Sequence, residues 1–405
     1  MDFRLHFEKD NTMKPTKKVI LYYKVSAKGV TILGIKGRAS QLHIPETIDD
    51  MPVVAIEDFA FSIETEQPQL EEENLGEIFL CLSADKRTAV PKEDDGDAIL
   101  RIILPDTIRR IGAYAFSGCN ALGSIVLPEG LEEIAPYTFS GCSALEALTL
   151  PQSIQKIGSY AFFDCHSLKA LTIPDKVTAI ERYAFYNCRS LYKINIPKNT
   201  EHLETGLFLN CDSLYDIYFG QCKHISDLIA VLNHELLLTI DFPDARAKLL
   251  IPDFQYEYIE DTPARQFHQV NYGTGHLFRQ CIRNSDIDFR RYDELFYLTR
   301  REDAAVLVLL LAVYRLSYPY RLVAERRETY LSYVREHLLF AADYYIQNND
   351  LEVLRQFAQW GLYTNEALPK MIEMAQKKGK TEILSFLMDY QHKKRNPIKK
   401  KSFDL

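Results

Sequence analysis

The segment "FSGCNAL" at residues 116–122 returns every 23 residues, as "FSGCSAL", "FFDCHSL", "FYNCRSL" and "FLNCDSL". In frame the units are "LPDTIRRIGAYAFSGCNALGSIV", "LPEGLEEIAPYTFSGCSALEALT", "LPQSIQKIGSYAFFDCHSLKALT", "IPDKVTAIERYAFYNCRSLYKIN" and "IPKNTEHLETGLFLNCDSLYDIY", running from Leu104 to Tyr218 without insertion or deletion. Position 1 is always aliphatic (Leu104, Leu127, Leu150, Ile173, Ile196), as is position 8 (Ile111, Ile134, Ile157, Ile180, Leu203), while position 13 is always Phe and position 19 always Leu. A side chain that must be apolar once per fixed period points into the shared core of a stacked solenoid. Positions 19, 22 and the next unit's first residue spell L-x-x-I-x-L, whose last two apolar residues flank one outward residue on a short strand. The following proline (Pro105, Pro128, Pro151, Pro174, Pro197) has no N–H to donate and ends the pairing. One short parallel strand per coil is expected, with tighter, less regular structure completing each turn.

The proline after the strand and the "YAF..C..L" segment resemble the BspA-type leucine-rich repeat family of bacteria. The resemblance also covers "GVTILGIKGRASQLHIPETIDDMPVVAIEDFAFS" (29–62), which looks like the hairpin and first coil that open such arrays. It implies an α/β repeat fold, a leucine-rich-repeat parallel solenoid. Surface members of the family act as adhesins, so the resemblance alone implies extracellular attachment. In the fifth unit Thr200 replaces an aliphatic residue and Gly206 replaces the tyrosine found at 114, 137, 160 and 183, as though the array fades there.

Five cysteines (Cys119, Cys142, Cys165, Cys188, Cys211) share position 16. Zinc needs four converging ligands, and one sulfur per coil makes a line. A disulfide ladder would leave one of five unpaired. A catalytic thiol needs an activating base, yet the residues that follow vary freely, and His166 beside Cys165 is the one tempting pair. A small buried residue where the coil turns is the expected role; Cys81, Cys222 and Cys281 lie off the period and show no ligand spacing. No metal and no cofactor are expected.

If positions 19, 22 and 1 point inward, positions 21 and 23 point out. They are Arg101 and Ile103, Ser124 and Val126, Ala147 and Thr149, Ala170 and Thr172, Lys193 and Asn195, Asp216 and Tyr218. The centre of this face is small and neutral and lacks the carboxylate pair of acid–base chemistry; it suits a helix, loop or neighbouring domain packed onto it, which makes these residues candidates for binding a partner, and equally suits an unoccupied, solvated sheet face. The tyrosine column is expected to seal the coil edge.

The domain organisation that follows is a cap hairpin at 1–43, the solenoid at 44–218 with an acidic insertion at 62–97, a cap and connecting segment at 219–301, a helical domain at 302–392 and a basic tail at 393–405. The insertion carries 11 acidic and 3 basic side chains, which accounts for the whole net charge of -8. The remainder is balanced, so nucleic acid is not an expected partner; the tail "HKKRNPIKKKSFDL" reads as a solvated terminus. "HELLL" at 234 lacks the second histidine of a zinc-protease motif, and Gly273 with Gly275 lacks the last glycine of a dinucleotide fingerprint. Segment 255–301 offers an alternative reading, an enzyme or anionic-ligand sensor with a pocket built from His268, His276, Arg279 and Arg290. The same charges equally suit internal pairing with the acidic side chains around them.

From about Glu302 the apolar spacing is helical. "NNDLEVLRQFAQWG" and, further on, "KGKTEILSFLMDY" resemble the paired helices of ankyrin-type repeats, although "T-P-L-H" is absent. The longest apolar run, "AAVLVLLLAVY" at 304–314, is too short to span a bilayer. Charges scattered from Asp2 to Lys18 leave no signal-peptide h-region. The expectation is a non-enzymatic, cytoplasmic interaction scaffold whose protein partner the repeat does not encode.

Overall fold

The computed structural model describes residues 18–36, 40–63, 76–81, 99–221, 223–261, 266–284 and 286–395. The chain divides into two compact units, Met1–Asp241 with Arg283–Asp286, and Phe242–Ile282 with Ile287–Leu405. The first boundary falls inside the stretch 219–301 expected to cap the solenoid and connect it onward.

In the first unit the expected strands form. Gln41–His43, Arg101–Ile103 and Ser124–Val126 pair in parallel, and so do Ala147–Thr149, Ala170–Thr172, Lys193–Ile196, Asp216–Phe219 and Leu236–Asp241. Equivalent residues meet in register, Ile102 with Ile125, Leu148 with Leu171, Ile194 with Ile217. The last strand extends the ladder beyond the point where the repeat frame stops. Between it and its neighbour lies a short helix, α1 (Ile225–Ile229), which buries Ile225, Leu228 and Ile229.

Each coil also carries a second strand, a correction to the expectation of one. Glu133–Ile134, Lys156–Ile157, Ala179–Ile180 and His202–Leu203 make a parallel ladder, and Ile111 pairs with Ile56 one coil earlier. These strands are short because they are confined between a turn at the proline, such as Ile154 N–H to Pro151 O at 3.2 Å, and a tyrosine in the left-handed region. Position 8 is their one inward side chain.

The described residues begin with an antiparallel hairpin, Lys18–Ser26 with Gly29–Lys36. On one side Gly29–Lys36 pairs in parallel with Met51–Ile56; on the other, Lys18–Ser26 takes an antiparallel strand, Gly76–Cys81, from within the acidic insertion. Gly76 lies against the Tyr23 ring, which a Cβ at that position would meet at 2.2 Å. The remaining insertion segments, 64–75 and 82–98, lie outside the described residues, as does the tail from 396.

The second unit starts with the strand Arg246–Ile251 and the antiparallel hairpin Gln255–Asp261 with Gln266–Tyr272. Its helices follow: α2 (Gly275–Arg279), α3 (Phe289–Glu294), α4 (Phe296–Glu302), α5 (Ala305–Ser317), α6 (Ala324–Glu336), α7 (Leu338–Gln347), α8 (Leu351–Gln359), α9 (Ala367–Lys377) and α10 (Thr381–Arg395). The apolar run at 304–314 falls almost entirely within α5, which is buried nearly all round. Among the described residues no helix is long and apolar enough to cross a membrane.

Arg315 on α5 is fully buried, its guanidinium paired with both oxygens of Asp293 on α3 at 2.7 and 2.9 Å. Tyr330 of α6 donates to the same carboxylate at 2.9 Å, and the Arg315 guanidinium also donates to the carbonyls of Tyr318 and Tyr320. A buried ion pair needs such saturation to offset desolvation.

The turn between α7 and α8 recurs between α9 and α10. Asn349 and Gly379 are left-handed, and the bonds Asn348 N–H to Tyr344 O and Asp350 N–H to Tyr345 O are repeated as Lys378 to Met374 and Lys380 to Ala375.

Candidate functional site

The first unit presents its outward strand face as the alternation requires. In Ser124–Val126, Ala147–Thr149 and Ala170–Thr172 the middle residue is buried and both flanking residues are exposed. Lys193 is exposed, while Arg101, Ile103, Asn195, Asp216 and Tyr218 are half-buried at the two ends. With strands about 4.8 Å apart, these twelve residues line two columns across six coils.

Polar groups at the C-terminal end of the face are engaged. Lys193 pairs with Asp216 at 2.6 Å, Tyr218 donates to Asp241 at 2.5 Å, and the Asn195 amide accepts from Ile173 N–H at 2.6 Å and donates to Ile173 O at 2.8 Å. Along the rim, Lys169 pairs with Glu146 at 2.7 Å and the Tyr192 and Tyr215 rings stack at 5.5 Å. At the N-terminal end, Leu100 and Val126 are each 45% exposed, and the Nε of Arg101 is buried without a hydrogen-bond partner.

Behind the face stand three columns of equivalent side chains. Phe61, Phe116, Phe139, Phe162, Phe185 and Phe208 stack at 5.3 to 6.0 Å between centroids. Phe59, Tyr114, Tyr137, Tyr160 and Tyr183 form a second, half-buried stack at 4.4 to 5.0 Å. Every member of this second stack has φ between 56° and 60°, a conformation that costs a non-glycine residue about 1–2 kcal/mol. Ring stacking returns roughly 0.5–1.5 kcal/mol, and each tyrosine N–H donates to the next coil, as Tyr114 does to Pro136 O at 3.0 Å. Gly206, at the same frame position with φ 72°, ends the stack; a Cβ there would meet the Tyr183 ring at 2.4 Å. The buried Thr200 is satisfied by donating to Val177 O at 3.0 Å.

The five cysteines form the third column and are more than filler. Each is buried, and each thiol donates to the carbonyl of the phenylalanine one coil earlier, Cys119 to Phe61, Cys142 to Phe116, Cys165 to Phe139, Cys188 to Phe162 and Cys211 to Phe185, at 3.1 to 3.3 Å. Burial raises the Cys165 and Cys188 thiols well above their ordinary pKa and pushes Cys211 up to about 12. His166 faces the other way, its Nε2 lying 3.2 Å from the Asn187 amide and 3.4 Å from Asp164. The adjacent Cys165 and His166 are thus aimed at different surroundings, and no Cys–His nucleophile is assembled there.

The two arginines of the alternative set in the second unit are engaged with internal groups. Arg279 donates to Pro252 O at 2.8 Å and Gly275 O at 3.1 Å and stacks over Phe254, and burial lowers its pKa to about 10. Arg290 is exposed on α3 and pairs with Glu294 one turn on. His276 lies at a tilt to Phe254, with its Nδ1 buried and unpartnered; the side chain of His268 lies outside the described residues. These contacts do not bring Arg279 and Arg290 together on one ligand.

Sequence inspection missed a hollow of about 450 Å³ at the end of the two-residue ladder, lined by Glu181, Glu201, His202, Glu204 and His224 among others. Two of its carboxylates are already engaged, Glu181 with Lys156 and Ser159, Glu204 with the Arg182 N–H. Among the described residues no cluster of His, Cys, Asp or Glu could hold a metal ion.

Residues 96–244 match the BspA-type leucine rich repeat region in six copies. No curated protein matches the chain. Among solved structures, a leucine rich repeat protein of T. pallidum is 29% identical, with 48% of this chain and 77% of that chain covered and a TM-score of 0.39. A leucine-rich repeat protein from Bacteroides ovatus is 27% identical over 53% of this chain and 48% of its own length, TM-score 0.39. The pneumococcal vaccine antigen PcpA is 20% identical over 56% of this chain and 52% of its own, TM-score 0.37. The chain thus spans about half the length of the last two. The 23-residue frame, the proline-ended strands and the Phe and Cys columns all lie within or beside this match, so residues 96–244 carry the BspA-type leucine rich repeat pattern.

Proposed function

We propose that this chain is a non-catalytic scaffold that docks a protein partner on the outward strand face between Arg101 and Tyr218. One observation carries the reading. The six middle positions of the face, from Ser124 to Thr172, are small or neutral and exposed on a backbone fixed by buried neighbours. Such a surface loses little side-chain entropy and desolvates no charge when covered.

The test is affinity capture from a native lysate with the full chain and with an Ala147→Glu, Ala170→Glu variant. Proteins retained by the first and lost with the second support the face; an identical set from both rejects it. A stacked, ankyrin-like arrangement of α7 to α10, a second module of the partner-binding kind, is part of the same reading. A cytoplasmic site of action belongs to the same reading, and recovery of the chain at the cell surface on fractionation would reject it.

A further inference from the structure

We propose that the partner presents a carboxylate, from Asp or Glu, beside apolar side chains, and that Arg101 receives it at the N-terminal end of the strand face. The inference rests on the docking reading above and names the chemistry of its ligand. Its basis is an asymmetry along the face. At the C-terminal end Lys193, Asn195, Asp216 and Tyr218 are all satisfied within the chain. At the N-terminal end Arg101 makes no ion pair among the described residues, and its Nε is withdrawn from solvent without an acceptor.

An arginine in that state gains the most from a carboxylate, whose two oxygens match the guanidinium fork. The covered Nε is closed to a partner, so the carboxylate meets the guanidinium end on, at its two terminal nitrogens. The surroundings select against other anions. Leu100 and Val126 are each 45% exposed and Ile103 is half-buried, so apolar side chains lie on and beside the strand that carries the cation, whose in-register neighbours are the neutral Gln41 and Ser124. A nucleic-acid backbone requires several cations in series, whereas Lys193, the other cation among the twelve face residues, is held by Asp216. A carboxylate with apolar neighbours on an extended segment meets both requirements, since its alternate side chains can address Arg101 and the Leu100, Val126 pair in turn.

A display library of random twelve-residue peptides panned on the full chain tests this. Expected is enrichment of sequences with Asp or Glu next to Leu, Ile, Val or Phe, whose binding weakens at least tenfold with Arg101→Gln and nearly as much with Arg101→Lys, which keeps the charge and loses the fork. Lys193→Gln should leave binding unchanged, and equal melting temperatures show that the variants fold. Peptides without acidic residues, or peptides held equally by Arg101→Gln, overturn the carboxylate inference while leaving the docking face standing if Val126→Glu with Ala147→Glu abolishes their binding. A labelled single-stranded oligonucleotide bound through Arg101 in place of such peptides also overturns it. No enrichment, or peptides indifferent to both Glu substitutions, overturns the inference and the docking reading together.

Discussion

Cys165 donates its thiol hydrogen to the carbonyl oxygen of Phe139, 3.1 Å away in the preceding coil. The bond joins two invariant positions of the repeat, so the same link recurs five times along the first unit. It gives a second donor to a buried carbonyl that already accepts from the Cys142 N–H at 3.1 Å, and so ties one coil's turn to the next.

Cys165→Ala should therefore cost about 0.5–1.5 kcal/mol for the lost hydrogen bond, since the carbonyl keeps its backbone donor. Cys165→Ser, which keeps a donor, should cost less. Urea unfolding followed by circular dichroism separates the two; equal losses would reduce the cysteine to a space filler.

The thiols should resist alkylation. With Cys211 at about 12, its thiolate fraction at pH 8 is on the order of one in ten thousand. A thiol whose pKa is raised on folding stays protonated longer in the native state. Stability is then full below the ordinary value of 9.0 and falls as pH climbs from there towards 12, by up to roughly 1.4 kcal/mol per pH unit. Cys211→Ala should flatten that alkaline slope in unfolding experiments across the range, and N-ethylmaleimide should label Cys211 only after denaturation.

Phe162 has stacked neighbours at 5.5 Å on both sides, Phe139 and Phe185. Phe162→Ala should cost about 3–5 kcal/mol, whereas Phe208→Ala, at the end of the stack, should cost less. Denaturation midpoints of the two variants check the ranking.

In the second unit, Asp293→Asn should cost about 3–5 kcal/mol, since it strands the buried Arg315. Replacing both, as Asp293→Leu with Arg315→Met, should restore much of the loss. Thermal melting of the single and double variants is the measurement.

Most of the solenoid was legible because each inward side chain recurs once per coil: the outward face from Arg101 to Tyr218 followed from Leu122, Ile125 and Leu127 and their equivalents. The second ladder was not, since such short strands leave a single apolar mark, at Ile134 or Ile157, and no alternation. The cysteine bond was hidden because a filler and a donor are the same letter. Gly76–Cys81 could not be placed, as its pairing with Lys18–Ser26 reaches back across the interrupted first coil. Likewise the run containing Arg315 gives no hint of its acceptor, Asp293, on another helix. The solitary guanidinium of Arg101 emerges only when its neighbours' bonds are known.

Gly206 gives the array a direction of growth. A coil duplicated between Leu127 and Ile196 would inherit a tyrosine ring above and below it, and so would enter the stack intact. A coil added after Gly206 would find hydrogen where a ring should be, with nothing to offset its own left-handed tyrosine. The glycine therefore closes the ring column at this coil, while the strand ladder runs on past it to Leu236–Asp241.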